Sequence, residues 1–359
     1  MVVYLGVTIV TMVLAYQIDN RPGNIVHRRS RQQTMNRACL GFIFLLLFAI
    51  SAFRVDIGND YANYINNFHE ISVGGYVITE PGYNLLVKGI YLALGGEIYQ
   101  AVFAVFAFVT IFVFIYVLYK HSDNFFLSFF LFMTLGYYFQ TMNTVRYYFA
   151  LAFALWSMKY MIRKEYSKFL LIILFAFLFH KSVLLVIPIY MMARIPWKKW
   201  QLGILAVVFI SIPLCKDFYF DLLLRLYPSY KDTVFLEGGT SFISILRCVA
   251  VLLLGLLYYK QAILNNKRNR FYFYLNLGAL GLYTCCSFIP LISRIGYYLT
   301  ISQILLIPAI VEKIPDKKQQ KLITWMIIIA GILYFFAFLH SIQSIDIRLI
   351  PYKTWLFES

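Results

Sequence analysis

Charge is scarce in this chain: Asp, Glu, Lys and Arg together make up 13% of its 359 residues. With 61% hydrophobic residues and a mean hydropathy of +0.73, that scarcity excludes a soluble globular protein. Cysteine is scarce too. Cys39, Cys215, Cys248, Cys285 and Cys286 are odd in number, lack metal-ligand spacing and lie in or beside apolar segments. They read as small core residues, which excludes a disulfide framework and gives no metal centre. Acids are half as numerous as basic residues, 16 against 32, leaving a net charge of +16. That charge would suit nucleic acid, but the Lys and Arg residues sit mainly in short loops between apolar runs, where they set membrane topology. No nucleic-acid partner is expected. The chain also lacks a basic residue ahead of its first apolar run, so a cleavable signal peptide is not expected. With no internal repeat and no separate soluble segment, residues 1–359 read as a single integral membrane domain.

What is present is a succession of apolar runs, so the expected fold is all-α, a polytopic integral membrane protein of about twelve transmembrane helices. Runs are expected at residues 1–17, 38–53, 98–119, 124–139, 147–162, 200–214, 242–259, 271–290, 295–310 and 322–339. A short pair at 169–179 and 183–192 hinges at His180-Lys181 and is either two thin spans or a partial hairpin. Residues 83–94 are too short for comfort, carry Lys88 and follow Glu80-Pro81-Gly82. They read as a re-entrant or interfacial helix near residues 80–95, within a first extracytoplasmic loop at 54–97. A second extracytoplasmic loop is expected at 215–240. Arg21, Arg28, Arg29, Arg31 and Arg37 place the first connecting loop in the cytoplasm, and later basic clusters follow suit.

That topology collects polar residues on one face. They are Arg54, Asp56, Asp60, Glu80, Lys88, Asn143, Arg146, His180, Lys181, Arg247 and Arg294. Guanidiniums gathered at one pocket repel each other unless an anion joins them, and their forked donors fit phosphate oxygens. An outer-face membrane enzyme with such a pocket suits a lipid pyrophosphate, and arginines can neutralise the charge on that leaving group without a metal or cofactor. Arg146, Arg247, Arg294 and Arg54 are the candidate pyrophosphate binders; Asp60 or His180 is the candidate base; Asp56 and Glu80 would orient the site or contact sugar. Lys88, Asn143 and Lys181 complete the binding set. Blander roles stand beside these: Arg54 and Arg294 snorkelling, Asp56 and Asp60 pairing with Arg54 or capping a turn, Glu80 starting a helix. Tyr61, Tyr64 and Tyr83 are weaker candidates for stacking on sugar rings.

The order Arg54-x-Asp56-x-Gly58-x-Asp60-Tyr61-x-x-Tyr64, Glu80-Pro81-Gly82-Tyr83, Val145-Arg146, Phe179-His180-Lys181-Ser182 and Ile187-Pro188 resembles the EpsG family, within the wider group of Wzy-type polysaccharide polymerases. The resemblance runs from the first span through Arg294. It departs at Asn59, where the family usually has a small residue such as Thr, and at Tyr147, where Gln often follows the arginine. It implies a metal-independent glycosyltransferase in the bacterial cytoplasmic membrane. Such an enzyme joins undecaprenyl-pyrophosphate-linked oligosaccharide repeat units on the extracytoplasmic face, for capsule, exopolysaccharide or O-antigen. Its partners would be that lipid-linked oligosaccharide, membrane lipid and a chain-length regulator. The rival readings are a lipid-linked oligosaccharide flippase, a membrane acyltransferase acting on surface polysaccharide, and a scaffold.

Overall fold

The structure, a computed structural model, describes residues 1–19, 26–226, 241–288, 292–343 and 349–355. Helix accounts for nearly all of the regular structure, as expected for an apolar chain that must satisfy its backbone internally. In chain order the helices are α1 (Val2–Tyr16), α2 (Val26–Ala52), α3 (Tyr61–Ser72), α4 (Pro81–Leu94), α5 (Tyr99–His121), α6 (Phe125–Thr134), α7 (Tyr137–Gln140), α8 (Val145–Arg163) and α9 (Tyr166–Phe177). After a 3₁₀ turn at Lys181–Leu185 come α10 (Val186–Arg194), α11 (Lys199–Leu214), α12 (Lys216–Leu226), α13 (Phe242–Leu257), α14 (Lys267–Cys285), α15 (Ile292–Thr300), α16 (Gln303–Val311) and α17 (Lys317–Ser341). Side-chain caps mark several starts: Asn124 accepts from Leu127 N–H, Asn266 from Arg268 and Asn269, and Asp316 from Lys318.

Among the described residues, four helical stretches are long and apolar enough to cross a bilayer: Ser30–Ala52, Tyr99–His121, Ile292–Val311 and Lys317–Ser341. At a rise of about 1.5 Å per residue each reaches roughly the 30 Å of a hydrocarbon core. Five shorter apolar helices accompany them. The chain is therefore an all-helical integral membrane protein; length and composition support these four spans and do not establish the expected twelve.

Two expected spans are broken. Residues 124–139 divide into α6 and α7 at Gly136, which adopts φ 79°. A Cβ there would meet the Phe338 ring at 2.7 Å, so the kink lets α17 close in. Residues 295–310 divide into α15 and α16 at a turn over Ile301 and Ser302, within the single apolar stretch Ile292–Val311. Two helices, α3 and α12, lie in segments that sequence left as outer loops; residues 227–240 of the second loop are outside the described residues. By contrast α4 begins as anticipated, with Glu80 at the N-cap and Pro81 at N1. Its 14 residues cover only about 21 Å, too short to span.

The described chain divides into two compact units: residues 1–157, 167–184 and 315–359, and residues 158–166 and 185–314. In the first unit α2 packs on α1 and α5, α6 on α1 and α17, and α3 and α4 on each other and on α5. Its core is aromatic. Phe106, Phe149 and Phe179 meet pairwise at ring separations of 4.5–5.9 Å. In the second unit α14 is the hub, touched by α10, α11, α13, α15 and α16. Buried Asn276 of α14 donates to Cys248 O at 3.0 Å and accepts from Gln303 at 2.6 Å, tying three helices together. A cavity of about 600 Å³ lies among α10, α11, α14 and α15, lined by apolar groups such as Phe209, Leu275 and Leu299. None of the charged residues singled out from sequence lines it.

Candidate functional site

The stretch from Arg54 to Tyr64 leaves α2 through a turn rather than a continued helix. Asp56 at φ 51° and Gly58 at φ 98° both take left-handed backbone. Gly58 is required twice over, since a Cβ there would lie 2.3 Å from Met142 O. Asn143 completes the lock: its Oδ1 accepts Asn59 N–H at 2.8 Å, and its Nδ2 donates to Gln140 at 3.2 Å. Asn143, expected to contact substrate, is half-buried and holds this structural task. We expect Gly58→Ala to cost about 3 kcal/mol through combined strain and overlap. Gly89→Ala, on α4 with nothing within 4 Å of the added Cβ, should be neutral or slightly stabilising; thermal unfolding in detergent compares the two.

Arg54 points inward and is 1% exposed. Its Nη1 donates to Ser51 O, and its guanidinium lies 4.5 Å from the centre of the Phe103 ring. Nε and Nη2 make no hydrogen bond, and none of its recorded partners is a carboxylate. Burial pushes this group down to about 10, against the opposing pull of Tyr61 and Tyr64. The pairing of Asp56 or Asp60 with Arg54 is thus not seen; Asp56 is exposed, and Asp60 stands at the N-cap of α3. A side chain so enclosed cannot meet a ligand where it stands, which removes Arg54 from direct contact with substrate.

Arg146, at the start of α8, is different. It forms an ion pair with Glu80, and the two side chains are 21% and 14% exposed. Tyr83 and Tyr64 sit under the guanidinium at 5.1 and 5.7 Å, and Tyr64 Oη accepts Arg146 N–H at 3.3 Å. Both tyrosines are buried, as is Tyr61, stacked on Phe103 at 4.9 Å. Burial raises the phenols of Tyr64 and Tyr83 above the ordinary tyrosine range, so they remain neutral beneath the cation. These rings are scaffold and not platforms for sugar.

The second oxygen of Glu80 accepts Lys181 N–H at 3.0 Å, which draws the His180 turn to the start of α4. Gly82 N–H donates to Leu178 O at 2.8 Å in the same contact, and a Cβ on Gly82 would lie 2.6 Å from that oxygen. His180 Nδ1 hydrogen-bonds Ser182 Oγ at 2.8 Å, and its ring meets Tyr147 edge-on at 5.4 Å. Glu80-Pro81-Gly82, Val145-Arg146 and Phe179-His180-Lys181-Ser182 therefore converge through one shared carboxylate. The sequence profile of the EpsG family matches residues 37–354, a range that takes in all three motifs.

This chain belongs to the EpsG family. Members of the family are polymerases of the Wzy type. No curated protein and no solved structure matched the chain.

Within this EpsG chain the remaining candidates are dispersed. Lys88 lies on the exposed side of α4 with Leu85 and Leu92, opposite the buried Tyr83, Asn84 and Val87. The Lys181 side chain is exposed while its backbone serves Glu80. Arg247, buried in α13, and Arg294, half-buried in α15, belong to the second unit. Sequence reasoning missed Phe103, which supports both Arg54 and Tyr61, and the segment Leu349–Trp355. Nothing in the local pattern of either signalled the contact.

Proposed function

We propose that this chain is a membrane-embedded glycosyltransferase that polymerises oligosaccharide repeats carried on undecaprenyl pyrophosphate. It would work on the extracytoplasmic face of the bacterial cytoplasmic membrane, in capsule, exopolysaccharide or O-antigen assembly. The observation that carries this reading is the Arg146–Glu80 pair, accessible at its rim, with His180 held beside it through Lys181 N–H. Membership of a polymerase family supports it. In the reaction the hydroxyl of the incoming lipid-linked unit attacks the anomeric carbon of the growing chain. The C–O bond to the pyrophosphate breaks, lipid pyrophosphate leaves, and the hydroxyl proton passes to a base.

The guanidinium of Arg146 meets the charge that builds on the leaving pyrophosphate, and Glu80 fixes its orientation. His180 receives the proton on Nε2 when its Nδ1–H is directed to Ser182. Charge neutralisation by arginine lets the step proceed without a metal. The test is extension of a purified lipid-linked repeat by the purified protein in the presence of a chelator. Products of two or more repeats are expected. Unextended repeats with and without added divalent metal would reject the reading, and repeats trapped on the inner leaflet of a deletion strain would point to transport.

A further inference from the structure

Arg54 is among the largest fully buried side chains of the described residues, yet a separate piece of the chain is spent on holding it. The segment Leu349–Trp355 returns across the exit of α2 and pairs with it in antiparallel fashion. Arg54 and Thr354 form the bridge, flanked by Val55 N–H to Lys353 O at 3.0 Å and Trp355 N–H to Phe53 O at 3.2 Å. Side chains extend the clasp. Tyr352 Oη donates to Ile50 O at 3.0 Å, Tyr4 Oη donates to Leu349 O at 2.5 Å, and the Trp355 ring meets Phe53 edge-on at 5.3 Å.

From this clasp a continuous line of contacts leads to the candidate site. The Arg54 guanidinium lies 4.5 Å from Phe103, Phe103 packs edge-on against Tyr64 at 5.9 Å, and the Tyr64 hydroxyl accepts Arg146 N–H. The two guanidiniums thus press on opposite ends of one aromatic stack, Arg54 on Phe103 and Arg146 on Tyr64 and Tyr83. A buried cation with two idle donors is a poor choice for stability alone, because an apolar side chain of similar length would avoid the desolvation. We infer that Arg54 and the Leu349–Trp355 segment together form a positioning strap that sets Arg146 for the lipid-linked pyrophosphate.

The inference rests on the polymerase reading for its kinetic consequences, while the pairing itself can be tested without it. In a Val55→Cys/Lys353→Cys protein the two thiols flank the bridge, where antiparallel partners are about 5.5 Å apart between Cα atoms, within disulfide range. A cross-link in high yield, absent from either single variant, is expected; failure to form it would overturn the strap. Three further variants test its role. Trp355→Pro removes the N–H given to Phe53 O, Tyr352→Phe removes the hydroxyl given to Ile50 O, and Arg54→Met removes the buried charge. In the extension assay KM for the lipid-linked repeat should rise about tenfold in Trp355→Pro and Arg54→Met and about threefold in Tyr352→Phe, with kcat falling alongside, as expected for a displaced Arg146. Arg54→Met should unfold at the same temperature as wild type or higher, which separates positioning from a general loss of fold. Wild-type KM in Arg54→Met and Tyr352→Phe would reject the proposal even where Trp355→Pro fails to fold. Wild-type polymerisation by Arg146→Ala would remove Arg146 from the reaction and the positioning role of the strap with it, whereas no extension by the wild-type protein would reject the polymerase reading and leave the cross-link result standing.

Discussion

Arg146→Ala should reduce polymer formation by about 10²–10³-fold, with single lipid-linked repeats accumulating in cells. Loss of one preorganised donor aimed at developing charge commonly has this size. The loss should fall on both kcat and KM, since the same guanidinium would hold the pyrophosphate before and during its departure. A structural consequence comes with it. Glu80 keeps its bond to Lys181 N–H but loses its cation, which we expect to lower stability by about 1–3 kcal/mol. The two effects separate in an Arg146→Ala/Glu80→Ala protein. Unfolding temperature should recover toward wild type because no carboxylate is left stranded, whereas polymer should remain absent. Arg146→Lys should restore charge and part of the stability, but only a fraction of the rate, because an ammonium cannot reproduce the planar fork over Tyr64 and Tyr83. Polymer of normal length from Arg146→Ala would remove this residue from the reaction.

Much of this arrangement was legible from residue type and spacing, and the rest failed for identifiable physical reasons. The turn at Gly58, the helix start at Pro81 and the hinge at His180-Lys181 are local events, fixed by backbone preferences within a few residues. Sidedness, argued from basic loops, gathered Glu80, Arg146 and His180 into one set, and their convergence on a shared carboxylate needed the tertiary fold. Burial was the weak point. Arg54, Tyr61, Tyr64 and Tyr83 are polar or amphipathic residues in a loop, which made them look accessible. In fact Phe103 and Phe106 from α5 pack on the three tyrosines and the Leu349–Trp355 segment pairs with the backbone at Arg54, and none of these contacts leaves a periodic trace in sequence. Hydropathy likewise runs straight through Gly136, because a left-handed glycine breaks a helix without changing its apolar composition.

The second large effect concerns proton transfer. His180→Ala should lower kcat by about 10²–10³-fold while KM changes little, in contrast with Arg146→Ala. A base acts on the hydroxyl only as the bond forms, so its loss is felt in the transition state and hardly at all in binding. Ser182 is the internal control. If Nδ1–H of His180 is given to Ser182, then Ser182→Ala should lower the rate by no more than about tenfold, because the ring stays packed against Tyr147 and only the tautomer preference weakens. Asp60 is the competing base, and its position argues for a different task. It ends the Gly58 turn at the N-cap of α3, where its backbone oxygen accepts Tyr64 N–H at 3.0 Å, so it sets the register of the tyrosine beneath Arg146. Asp60→Asn keeps that backbone bond and should retain at least about a tenth of wild-type kcat. The reverse ranking, with Asp60→Asn inactive and His180→Ala active, would move the proton to the carboxylate and leave His180 as the hinge that presents Lys181 N–H to Glu80.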